Sequence, residues 1–238
     1  EYIWLDEFCL SDEKLDWEAS SNRDAYENRE KERGKELGRL ADIFRAASAV
    51  CVFCNTVDCD HTGLHCPWGR RLFTLAEILH AETVWRILRL KGGEYEFVQG
   101  PGRLFRENIQ AKAAEGRQWH LYAIMQHASN SGTVPWQVAI HALLVEAILR
   151  DEATGFHNHK YLGRALNGLL PRRARPIDLL GKDGWDDLAW LLELNQGFYN
   201  ATGLAAVCNL NVGGHGWLGR PIAPSEGRER LEPLAVAF

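Results

Sequence analysis

Four side chains of the kinds that bind soft metal ions stand between positions 54 and 66: Cys54, Cys59, His61 and Cys66, with His65 as a substitute imidazole. Three thiolates and one imidazole can close a tetrahedral zinc site. The spacing lacks the Cys-x2-Cys knuckle of the familiar zinc fingers. Cys51-x2-Cys54 has that spacing but falls in a continuously apolar run, where strand alternation would turn the two thiols to opposite faces. Reduced thiols without a metal are the alternative reading. A metal here would staple the loop and fix Trp68 and Arg71, which follow directly.

Carboxylates and cations nearby offer other chemistry. Thr74-Leu75-Ala76-Glu77 has the form of a capping box, with Thr at the N-cap and Glu three residues later before an apolar run. The same glutamate could serve as a functional anion. Asp6 and Glu7 follow an apolar run; Asp6 could hold a ribose or a helix N-terminus, or simply end a strand in water. Arg71 could face a phosphate with both its nitrogens, or pair internally with Glu77 or Asp6. Trp4, Trp68 and Phe73 have the character of core residues, and Cys9 that of a small buried apolar group.

The elements that must position these groups follow from periodicity. Tyr2-Ile3-Trp4-Leu5 predicts a strand, residues 11–35 an exposed charged loop entering a helix, and residues from about Glu30 a helix with Leu37, Leu40, Ala41, Phe44 and Ala47 on one face. Ala49–Cys54 predicts a second strand, so the order is strand, helix, strand, as in a βαβ unit. A polar loop from Asn55 to Gly69 leads to a helix near Leu75–Ala81 and a strand at Thr83–Leu88. Gly92-Gly93 and Gly100-Pro101-Gly102 punctuate the chain. Beyond position 103 the pattern is helical over Arg103–Ala128, Pro135–Arg150, Tyr161–Leu170 and Trp185–Tyr199. The second of these, Pro135–Arg150, has a broad apolar face, with Pro135 just inside its start; the last segment, from Asn209, is rich in Gly and Pro. The reading is an α/β region over 1–100 with a mainly helical region, 101–238, packed on it.

Three blocks in order resemble the heterokaryon incompatibility (HET) domain of filamentous fungi. They are Tyr2–Leu10, Glu36–Ala47, and Trp68-Gly69-Arg70-Arg71-Leu72-Phe73-Thr74-Leu75-Ala76-Glu77. Phe73 stands where the family has Trp, and Ala76 where it has Gln; the strand that precedes the first block in the family is missing here, which points to upstream sequence not included. HET domains resemble TIR domains, and this implies a parallel sheet of flavodoxin-like type flanked by helices. It implies a cytoplasmic role in self/non-self recognition and programmed cell death, with NAD as a substrate cleaved at the nicotinamide–ribose bond. Glu77 would then be the catalytic carboxylate, stabilising oxocarbenium-like charge on the ribose, with Asp6, Arg71, Trp68 and Phe73 holding the nucleotide. The alternative the resemblance allows is a non-catalytic signalling module with a structural zinc loop, acting by self-association or by docking an incompatibility partner.

Composition narrows the classes. The 238 residues are 46% hydrophobic and 25% charged, with a net charge of −5, which is ordinary for a globular chain and gives no nucleic-acid footprint. The one dense basic run, Pro171–Pro176, reads as a solvated loop. No apolar stretch is long enough for a membrane span, and no secretory signal is visible. Six cysteines, four of them packed between 51 and 66, do not read as a secreted disulfide framework.

Overall fold

The computed structural model describes residues 23–63, 65–129, 133–153, 161–174, 184–199, 208–209 and 220–221. The expected strand at Tyr2–Leu5, with Asp6 and Cys9, lies outside the described residues, as does most of the Gly- and Pro-rich segment after Asn209.

Helix α1 (Arg23–Leu37) begins earlier than periodicity predicts. Its sequence is charged on every side, so no apolar stripe marks it, yet Glu, Lys and Arg are good helix formers. The chain breaks at Gly38-Arg39 and resumes as α2 (Leu40–Ala46). Leu37, Leu40 and Ala41 are buried, as the spacing predicts.

Strand β1 (Val50–Val57) buries Val50, Val52 and Cys54 and exposes Cys51 and Phe53, so the two thiols do lie on opposite faces. A long loop leads into α3 (Thr74–His80), which crosses to β2 (Thr83–Arg89). Strands β1 and β2 are parallel, with Val50 opposite Val84 and Phe53 opposite Ile87. This is a βαβ unit. Strand β3 (Tyr95–Pro101) then pairs antiparallel with β2, so that among the described residues the sheet has three strands in the order β1-β2-β3. The α/β class and a parallel pair are present; the sheet itself is small and mixed, because its third strand is joined by a hairpin rather than a crossover.

Gly100 and Pro101, expected as punctuation, instead finish β3, an edge position where a proline costs no ladder bond. Gly102 opens α4 (Gly102–Glu115), and a Cβ at that position would fall 1.8 Å from the Ala81 carbonyl oxygen. Only glycine lets the helix start that close to the end of α3.

The helical run expected over 103–128 is two helices, α4 and α5 (Trp119–Ser129), separated at Gly116-Arg117-Gln118. Helix α6 (Trp136–Ala153) is the centre of the helical part: Ala139, Ile140, Leu143, Leu144, Val145 and Ala147 are all 2% exposed or less. The short α7 (Leu162–Leu166) and α8 (Gly184–Leu194) complete the layer; Gly163 lets them touch, since a Cβ there would sit 2.5 Å from that of Asp187. Val52, Leu75 and Val84 belong to one apolar cluster with Ile140, Leu144 and Leu188, so the α/β and helical parts share a core. Arg172 and Arg173 are exposed, as expected of the basic run, though Arg173 pairs with Asp42. Among the described residues no helix is long and apolar enough to cross a membrane.

Candidate metal centre

The Cys/His cluster is assembled by β1 and the loop after it. Cys54 points inward from β1. Beyond the strand, Asp58 (φ 55°) and His61 (φ 61°) take left-handed backbone, which folds the chain back beneath the sheet. Asp60 holds the turn: its carboxylate accepts from the Thr62 N–H at 3.0 Å, the Thr62 hydroxyl at 2.9 Å and the Lys112 ammonium at 2.6 Å. Partial burial would raise the Asp60 carboxyl, but these bonds outweigh it and hold it at about 2. Arg86 on β2 donates to the Asp60 carbonyl at 3.1 Å, tying the loop to the sheet.

The potential ligand atoms of Cys54, Cys59, His61 and Cys66 all lie within 4.8 Å of one another. Cys66 Sγ is 3.9 Å from Cys54 Sγ and 3.7 Å from His61 Nδ1. A tetrahedral zinc ion with ordinary Zn–S and Zn–N bonds places its ligand atoms about 3.5–3.8 Å apart, so little contraction is needed. His61 is almost fully buried, and its Nε2 lies 2.9 Å from the Ile87 carbonyl oxygen. An N–H on Nε2 donating to that carbonyl leaves the Nδ1 lone pair facing the thiols, which is the outer-sphere arrangement of metal-bound histidines. Burial and the Arg86 charge lower the His61 pKa, keeping the ring neutral as a ligand must be.

The thiols argue the same way. Burial, reinforced by the neighbouring thiols of Cys59 and Cys54, pushes Cys66 up to about 12 despite the Gly69 N–H. Burial also raises Cys59. With both raised, Cys59 and Cys66 lose their protons together near neutral pH only where a cation compensates the charge, as a bound metal would. His65, the substitute ligand, is exposed and outside the cluster.

Trp68 and Arg71 follow within the same loop. Trp68 is buried against Phe105, ring centroids 6.1 Å apart, and its indole N–H donates to Glu77 Oε2 at 2.8 Å. Phe73 packs on the Tyr161 ring at 6.3 Å, and Arg71 is exposed. Thus Trp68 and Glu77 meet, both aromatic rings are engaged in core packing, and Asp6 lies outside the described residues. The expected capping box does not form. Thr74 is the first residue inside α3, no side chain caps that helix, and the Thr74 hydroxyl donates to the Arg71 carbonyl at 2.7 Å. The Glu77 carboxylate turns to Trp68 instead.

One organising residue has no signature in the sequence beyond being a cation inside an apolar helix. Arg150 of α6 is buried, paired with Glu146 at 2.8 Å, and donates to the carbonyls of Gly69 and Arg71 (3.2 Å) and to the Thr74 hydroxyl at 3.1 Å. It anchors the far end of the loop that the Cys/His cluster anchors at the near end.

No family model, curated protein or solved structure matches the chain.

Proposed function

We propose that this protein is a signalling module of the HET type, held together by a structural zinc ion on Cys54, Cys59, His61 and Cys66, that works by docking rather than by catalysis. The convergence of three thiols and an oriented imidazole on one point carries the metal assignment. All four positions belong to protein side chains, a closed set with no place left for a substrate, which is the mark of a structural rather than a catalytic zinc.

Docking is supported by the sheet. Its outer face carries Phe53, Trp85, Ile87, Tyr95 and Phe97, brought together by the register of the three strands. Phe97 is 63% and Tyr95 51% exposed. Contiguous exposed aromatic surface of this kind marks protein contacts, and a second copy of the chain is the simplest occupant in a self-associating module. The enzymatic alternative, NAD cleavage by Glu77, has less support, since that carboxylate already accepts the indole N–H of a buried tryptophan.

Metal analysis of protein purified without added zinc tests the core of this reading; one zinc per chain is expected, and its absence overturns the metal assignment. Sedimentation across concentrations tests self-association, which Phe97→Asp should abolish. Incubation with NAD should release no nicotinamide; release that disappears in Glu77→Gln would replace the docking reading with the enzymatic one.

A further inference from the structure

A cavity of about 360 Å³ opens between the metal loop and the helical layer. One wall is the loop itself, with Thr62, His65 and Arg70; the other is the α4–α5 turn, with Arg117 and Trp119, and the side of α6 with Glu146 and Arg150. The volume is that of a small-molecule site.

Its charge is one-sided. Glu146 is the acid of the lining, and Arg150 neutralises it at 2.8 Å. Arg70 and Arg117 remain, one on each wall, and among the described residues neither guanidinium has an ion pair or side-chain hydrogen bond.

The backbone at Arg117 is a second, independent sign. Helix α4 ends with the Gln118 N–H bonded to the Ala113 carbonyl at 2.8 Å and the Arg117 N–H to the Ala114 carbonyl at 3.2 Å. This is the Schellman pattern, whose left-handed position belongs by preference to glycine. Arg117 occupies it with φ 54°, although Gly116 is the residue before. Left-handed backbone at a long side chain is disfavoured and, where it is kept, points to a role for that side chain.

We propose that this cavity binds a phosphate dianion, gripped between Arg70 and Arg117, with Trp119 offering a face to a ring attached to the phosphate. Guanidinium groups match phosphate oxygens in pairs, and an aromatic wall beside them favours an organic monoester over the free ion. Neither arginine is a metal ligand, but His61 of the Cys/His cluster lines the loop wall, so the site shares that loop with the metal reading, while α4, α5 and α6 shape the rest of the cavity.

Calorimetric titration of the full chain with inorganic phosphate and with AMP tests this, with zinc content measured on the same samples. Binding below millimolar Kd is expected, and Arg70→Gln and Arg117→Gly should each weaken it at least tenfold. Arg117→Gly suits the left-handed position, so its melting temperature should hold or rise while binding is lost, which separates a ligand contact from a structural role. Tighter binding of AMP assigns the site to an ester, and equal binding assigns it to free phosphate. No heat with either ligand at 10 mM, or wild-type affinity in either variant, overturns the proposal whatever the zinc content.

Discussion

The loop between β1 and α3 and the helix α6 are of similar length and lie against each other, yet different physics holds each in place. Helix α6 is fixed by burial on nearly every side: Ile140, Leu144 and Ala147 fill the core, and backbone hydrogen bonds satisfy the main chain internally. The loop has little regular structure of its own. Its backbone is held by discrete polar anchors, Asp60 with Lys112 and Thr62 near one end and Arg150 at the other, around the Cys/His cluster. Apolar burial is non-directional and spread over many contacts. Coordination and charged hydrogen bonds are few, directional and individually decisive. Disturbing the two regions should therefore have comparable thermodynamic size and different chemical character.

The largest effects make that contrast. Cys66→Ser removes a buried member of the Cys/His cluster; on the zinc reading, with free zinc a thousandfold above Kd, the lost linkage amounts to about 4 kcal/mol. Leu144→Ala in the core should cost about 2–5 kcal/mol through lost burial and the cavity left behind. In denaturant titrations the two variants should look alike. A chelator separates them: it should destabilise the wild type and Leu144→Ala but leave Cys66→Ser unmoved. If chelation lowers the stability of none of the three, the loop is not held by metal, and the contrast between the regions fails.

The next effect lies within the helical region, where two histidines stand among the buried apolar side chains. His141 of α6 and His120 of α5 are both buried, with rings 5.9 Å apart. Burial, with the nearby His120 charge adding, lowers His141 from 6.5 to about 4. The folded state thus binds its proton less readily than the unfolded state, so the associated stability is fully present above pH 6.5 and is lost as pH falls through 4. The loss is roughly 3 kcal/mol by linkage. His141→Leu, of similar size and without a titrating group, should flatten the stability profile between pH 6.5 and 4. An unchanged slope would mean that other groups carry the acid sensitivity.

What the sequence discloses divides along the same line. Helix α6 is legible because its apolar run from Trp136 to Ile148 is too long for a strand and opens just after Pro135, and β1 because its apolar run is short and unbroken. The Cys/His cluster is legible by type and spacing, since Cys and His concentrated around one polar loop are chemically distinctive. Strand β3 was not legible: Tyr95, Glu96 and Phe97 are all exposed, so no inward-outward alternation is imprinted on it. Nor was the start of α1, where helix propensity acts without an apolar stripe. Arg150 could be seen as an isolated cation, but its carbonyl partners lie some eighty positions away, and only the folded chain brings them to it. The capping box misled because Thr-x-x-Glu fits two local geometries, and here a buried indole N–H competes for the glutamate and wins.

That competition sets the smallest effect. Trp68→Phe keeps a ring against Phe105 and removes the N–H that Glu77 accepts at 2.8 Å. A hydrogen bond to a charged acceptor contributes about 1.5–3 kcal/mol, and the partly exposed Glu77 places this one toward the lower end. Glu77→Gln retains an acceptor for the indole, so it should cost less than Trp68→Phe, and the double variant should cost no more than Trp68→Phe alone. Strict additivity in that cycle would show the two side chains to be energetically independent. The glutamate would then be free to serve something other than its own helix, and the balance between docking and catalysis would shift toward catalysis. Strong coupling instead makes Glu77 part of the same framework of directional anchors as Asp60 and Arg150.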